Sequence, residues 1–112
     1  MLWNLPKEFN VSRHENRTTP KIVSGYLYTD DILTTGTLVG SPAWFTWLET
    51  ASSFYFEGRT GTFTAHRERR QRGGTYWIAY RRQAGVLHRS HLGKGPQLTV
   101  LRLNETASRL SL

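Results

Sequence analysis

Apolar positions recur at two different periods along this chain, and the change of period marks its elements. Between residues 41 and 51, Trp44, Trp47, Leu48 and Ala51 fall at i, i+3, i+4 and i+7 and so share one face of a helix. Ser41 stands where its hydroxyl can cap the first free amides. Pro42 takes the first helical position, where a missing amide costs nothing. Four strand-like runs follow: Ser53 to Glu57, Thr62 to about Arg70, Thr75 to Arg82, and Val86 to Leu92. Gly58-Arg59-Thr60-Gly61, Gln71-Arg72-Gly73-Gly74 and Gln83-Ala84-Gly85 separate them at hairpin length, so neighbouring strands should pair antiparallel. Gly93-Lys94-Gly95-Pro96 ends the last run. A second helix is then predicted from Val100 to Leu110, with Thr99 as N-cap, Leu98 stapling onto Leu103, and Val100, Leu103, Ala107 and Leu110 as its apolar stripe.

The first forty residues resist this treatment. Only Ile22-Val23 and Tyr26-Leu27-Tyr28 interrupt a polar stretch broken at Thr18-Thr19-Pro20 and Thr34-Thr35-Gly36-Thr37, which predicts one or two short strands in an irregular lead-in. The expected class is α+β. Residues 1–40 form an irregular N-terminal segment with short strands. Residues 41–112 form one small domain, with a short helix, a three- to four-stranded antiparallel sheet and a C-terminal helix packed on one sheet face. The other face would then stay open to bind something.

Alternation divides each strand between the two faces. Tyr76, Ile78, Tyr80 and Arg82 share one side of the third strand, and Trp77, Ala79 and Arg81 the other. Phe63, Ala65, Arg67 and Arg69 share a side of the second strand, and Leu87, Arg89 and His91 a side of the fourth. The assignment preferred here turns Ile78 and Leu92 toward the helix and sets Arg67, Arg69, Trp77, Arg81 and Arg89 in an open patch.

Charge sharpens that expectation. The chain carries 15 Lys and Arg against 8 Asp and Glu, a net charge of +7. The segment from Gly58 to Gly95 alone holds Arg59, Arg67, Arg69, Arg70, Arg72, Arg81, Arg82, Arg89 and Lys94 against one acid, Glu68. A charge so localised points to a polyanionic partner. Most of the bases are Arg, whose planar fork suits phosphate and guanine. Among these, Arg67, Arg69, Arg70, Arg72, Arg82 and Lys94 are expected to touch phosphate, and Trp77, Arg81 and Arg89 to reach groove or base edges. The absence of cysteine excludes disulfides, thiolate zinc sites and cysteine nucleophiles. No apolar run approaches the length of a membrane span, and the N-terminus lacks the pattern of a signal peptide, so a cytoplasmic protein without a membrane partner is expected.

From Trp44 to Leu110 the sequence resembles an amino-terminal module of large LuxR-type transcriptional regulators of Chloroflexi and similar bacteria. The resemblance rests on Trp44, Trp47-Leu48, Ser53-Phe54-Tyr55-Phe56, Arg67-Glu68-Arg69-Arg70-Gln71-Arg72-Gly73-Gly74-Thr75-Tyr76-Trp77-Ile78-Ala79-Tyr80-Arg81, His88-Arg89-Ser90-His91-Leu92-Gly93-Lys94 and Leu98 to Leu103. From Gly74 onward the order of an aromatic strand, a basic strand and a Thr-led helix is also similar to the three-stranded-sheet DNA-binding domains of plant ethylene-response factors and to the arm-binding domains of tyrosine recombinases. The second similarity implies a sheet that enters the major groove of duplex DNA, and the resemblance to regulator modules implies a setting in transcription. Trp77, Arg81 and Arg89, with Arg67, Arg69 and Arg72, would then be the contact residues. The nucleotide-binding domain, helical repeats and helix-turn-helix of the full regulators have no counterpart here, and no phosphate-binding Gly-Lys loop is present.

Other chemistries are weaker on this sequence. His88 and His91 are three apart on a strand and point to opposite faces, which argues against a shared metal ion; no cofactor is expected. An enzyme is not the first reading, but small mRNA-cleaving toxins are also basic sheet-plus-helix domains. In that alternative Glu68 or His66 would act as general base and Arg67 or Arg81 would stabilise the phosphorane. Trp77, Tyr76 or Tyr80 stacking on RNA or single-stranded DNA, and docking of an acidic protein, are further alternatives.

Overall fold

The computed structural model describes residues 19–29, 36–69 and 72–111. Seven strands form one mixed sheet: β1 (Lys21–Val23), β2 (Tyr26–Tyr28), β3 (Thr37–Leu38), β4 (Ser53–Glu57), β5 (Thr62–Arg69), β6 (Thr75–Gln83) and β7 (Val86–Gly93). Their spatial order is β3-β2-β1-β4-β5-β6-β7. All neighbours are antiparallel except β1 and β4, which run parallel. The α+β class and the C-terminal helix stand as expected; the sheet is wider than three or four strands and not purely antiparallel. The short strands between residues 21 and 38 belong to this same sheet rather than to an irregular lead-in. Residues 1–18 lie outside the described residues.

The helices are α1 (Pro42–Leu48) and α2 (Val100–Leu110). Their starts follow the chemistry of their caps. The Ser41 hydroxyl accepts from the Trp44 amide at 3.3 Å, and the Thr99 hydroxyl from the Arg102 amide at 3.2 Å. The β1–β2 and β6–β7 hairpins turn in two residues, Ser24-Gly25 and Ala84-Gly85, all four at positive φ. That backbone twist matches the right-handed twist of the strands it joins, at the expense of placing Ser24 and Ala84 in a region that disfavours a Cβ.

Both helices lie on one sheet face. The buried core there holds Ile22, Leu27, Phe54, Phe56, Phe63, Ala65, Trp77, Ala79 and Leu92 from the sheet, with Trp44 and Leu48 from α1 and Leu103, Ala107 and Leu110 from α2. Aromatic rings knit it together: Trp44 meets Phe54 edge-on at 5.6 Å, Phe54 lies 5.2 Å from Trp77, and Phe56 stacks on Phe63 at 5.1 Å. The Trp44 indole N–H donates to the Leu98 carbonyl at 2.9 Å, tying α1 to the start of α2 and satisfying the one polar atom of a buried indole. No described helix is long and apolar enough to cross a membrane.

Candidate nucleic-acid interface

Cross-strand register settles which side chains share the face left uncovered by α1 and α2. One row of partners crosses six strands: Tyr28, Lys21, Tyr55, Thr64, Tyr80 and Arg89. Tyr28 and Arg89 are exposed, and Tyr55, Thr64 and Tyr80 half-buried, beside one another. At about 4.8 Å per strand the row spans roughly 24 Å. A second row crosses four strands as Ser53, His66, Ile78 and His91, and beside it Glu68 faces Tyr76. Arg82, opposite Leu87, lies on the same face.

These groups are organised, not merely adjacent. The Tyr80 hydroxyl donates to Glu68 Oε2, and Arg89 Nη2 lies 3.6 Å from Glu68 Oε1. The Arg89 guanidinium sits 5.6 Å from the centre of the Tyr80 ring, and the Lys94 ammonium 5.6 Å from that of Tyr76. His66 meets Tyr80 edge-on at 5.6 Å, and His91 lies 5.4 Å from Tyr76. Donation to Glu68 raises the pKa of the Tyr80 phenol above its usual 10.0; desolvation and the Glu68 charge add to the rise, and the Arg89 charge opposes it.

Ile78 lies beneath this cluster at 3 % exposure, although it points away from both helices. Its placement on the helix side is therefore corrected. The reason is parity: Trp77 and Ala79 are the residues of β6 that the core takes, and Ile78 between them must face the other way. Leu92 does reach the core, where an irregularity in β7 opposite Trp77 and Ile78 shifts the alternation.

Three expected contact residues move with that inversion. Trp77, at 2 % exposure, is a core residue. Arg67 turns to the helix side, where its Nη1 donates to the Glu49 carbonyl at 2.7 Å at the end of α1. Arg81 does the same for α2, its Nη1 donating to the Ser111 hydroxyl at 3.1 Å. A guanidinium at a helix C-terminus satisfies the last acceptors and opposes the negative end of the helix dipole. Arg69 has the parity of Arg67 but is exposed at the end of β5, and Arg72 is exposed in the following turn. Arg70 lies outside the described residues. Of the expected set, Arg82 and Arg89 are on the open face, and Lys94 reaches it over Tyr76.

The sequence reading passed over Lys21, Tyr28 and Tyr55. Their signal was the polar or aromatic partner of each buried neighbour in a period of two, in strands too short to display the period. Among the described residues, no three His, Asp or Glu side chains come close enough to hold one metal ion. No family model, curated protein or solved structure matched the chain.

Proposed function

We propose that this protein is a nucleic-acid-binding module that lays a single strand across the open face of its sheet. The observation that carries the reading is the six-strand row of Tyr28, Lys21, Tyr55, Thr64, Tyr80 and Arg89, in which three tyrosine rings are set among two cations and a threonine. Unpaired bases stack on such side chains whatever their identity, while neighbouring cations neutralise phosphates. Duplex DNA, the first expectation from sequence, fits this surface less well. The major groove is roughly 12 Å wide and admits a helix or a two-stranded ribbon, about half of the row's width. Two of the three residues expected to read base edges, Trp77 and Arg81, also support the core and α2 instead. An acidic protein would answer the cations but leave the tyrosine faces without a matching partner. On the sequence resemblance alone, we further propose that the module serves transcriptional regulation.

Fluorescence anisotropy with labelled RNA, single-stranded DNA and duplex DNA of equal length tests the reading. Single strands should bind more tightly than duplex. With Lys21, Arg82, Arg89 and Lys94 as the available open-face cations, log affinity should fall against log salt with a slope of about −2 to −3, at roughly 0.7 per phosphate neutralised. Preference for duplex, or affinity unchanged in a Tyr28→Ala, Tyr55→Leu double variant, would refute it.

A further inference from the structure

From the cluster above Ile78 we infer that the open face cleaves RNA by transesterification, with His66 and His91 as the acid-base pair and Arg89 as the stabiliser of the phosphorane. The inference rests on the single-strand reading and names RNA as its substrate. His66 on β5 and His91 on β7 are both register partners of Ile78, one on each side, and both are exposed. Two strand spacings, about 10 Å, separate their backbones. Side chains rising from the same face can therefore stand on opposite sides of one phosphodiester, the placement that in-line displacement requires. Arg89, a cation and multiple donor, reaches from β7 across β6 to Glu68 on β5, and the Tyr80 hydroxyl donates to the same carboxylate. Glu68 holds both of these groups at once, one on each carboxylate oxygen. With its oxygens so engaged, Glu68 is a positioning residue. The two exposed imidazoles carry the protons. Ile78 beneath supplies an apolar floor between the two histidines.

The reaction balances without an added reagent. One neutral imidazole takes the proton of the ribose 2′-hydroxyl, and the 2′-oxygen forms a bond to the adjacent phosphorus. Arg89 stabilises the charge on the pentavalent centre. The bond from phosphorus to the 5′-oxygen then breaks, and the other imidazole, as imidazolium, gives that oxygen its proton. The products are a 2′,3′-cyclic phosphate and a 5′-hydroxyl. The cleaving residues differ from those expected from sequence: Arg67 and Arg81 are on the far side of the sheet, and Arg89 stands in their place.

The test incubates the full chain with an unstructured RNA in EDTA and identifies the termini by mass spectrometry, beside His66→Gln, His91→Gln and Glu68→Gln purified identically. The expected result is cyclic-phosphate ends, no cleavage of 2′-O-methyl RNA, and a loss of about 10²–10⁴-fold in rate for each histidine variant. Those variants should still bind RNA, and their circular dichroism spectra should match the parent. Intact RNA that is nevertheless bound, or cleavage that survives both histidine substitutions, overturns the inference and leaves the binding function standing. Failure to bind any single strand overturns both.

Discussion

Replacing Arg67 by methionine separates the two roles an arginine can have in this sheet. Methionine keeps the apolar stem beside Trp77, its cross-strand partner, and removes the cation that donates to the Glu49 carbonyl at 2.7 Å. A hydrogen bond from a charged donor contributes about 1.5–3 kcal/mol. The Glu49 carbonyl is accessible enough for water to replace part of that, so the expected loss is about 1–2 kcal/mol, or roughly 5–10 °C in Tm. Arg89→Met is the counterpart. Its ion pair with Glu68 joins side chains 61 % and 41 % exposed. Such pairs contribute at most about 1 kcal/mol, so stability should hardly change. RNA affinity should fall about tenfold at low salt, and the salt slope should flatten by about 0.7. Urea unfolding by tryptophan fluorescence and anisotropy below the unfolding transition measure both quantities on the same samples. If Arg67→Met left the urea midpoint in place and weakened binding as much as Arg89→Met, the assignment of Arg67 to the helix side would be refuted.

Three other outcomes follow from the same geometry. Tyr55→Leu, which keeps apolar volume but removes the ring, should weaken single-strand binding by about tenfold, within the roughly 1–3 kcal/mol of one stacked base, and leave the salt slope unchanged in anisotropy titrations. Ala84→Gly should raise stability by about 0.5–1 kcal/mol in urea unfolding, because Ala84 sits at φ 53° and the gain from relieving its Cβ exceeds the added freedom of the unfolded chain. Because the folded state holds the Tyr80 pKa above 10.0, the neutral phenol is the favoured form. Its contribution to stability should be complete below that pH and disappear as pH rises through the raised value. Tyrosinate absorbance should show one late-titrating group that Glu68→Gln returns to the ordinary range.

Local chemistry wrote much of this fold into the sequence. Ser41-Pro42 and Thr99 start their helices by capping interactions that span only three residues, and Ala84-Gly85 closes a hairpin whose strands follow directly. Such signals survive without tertiary context, so β4 to β7 and α2 were legible within a residue or two, whereas α1, expected to extend to about Ala51, ends at Leu48. The period of two also separated the β5 and β6 side chains into correct sets. In β6 the set that met the helices was not decided locally, since each contained apolar and basic members, whereas in β5 Thr62, Thr64, His66 and Glu68 offered no apolar alternative to Phe63 and Ala65. Phe63 and Ala65 shared parity with Arg67, and Trp77 and Ala79 with Arg81, so part of the answer was present. What outweighed it was the assumption that an arginine belongs on the open face. Tertiary structure overturned that by bringing the ends of α1 and α2 to Arg67 and Arg81, which donate to the Glu49 carbonyl and to the Ser111 hydroxyl respectively. The parallel pairing of β1 with β4 joins segments about thirty residues apart and has no turn to announce it. Only that pairing, with the register it sets, aligns Tyr28, Lys21 and Tyr55 with Tyr80 and Arg89 to make one surface.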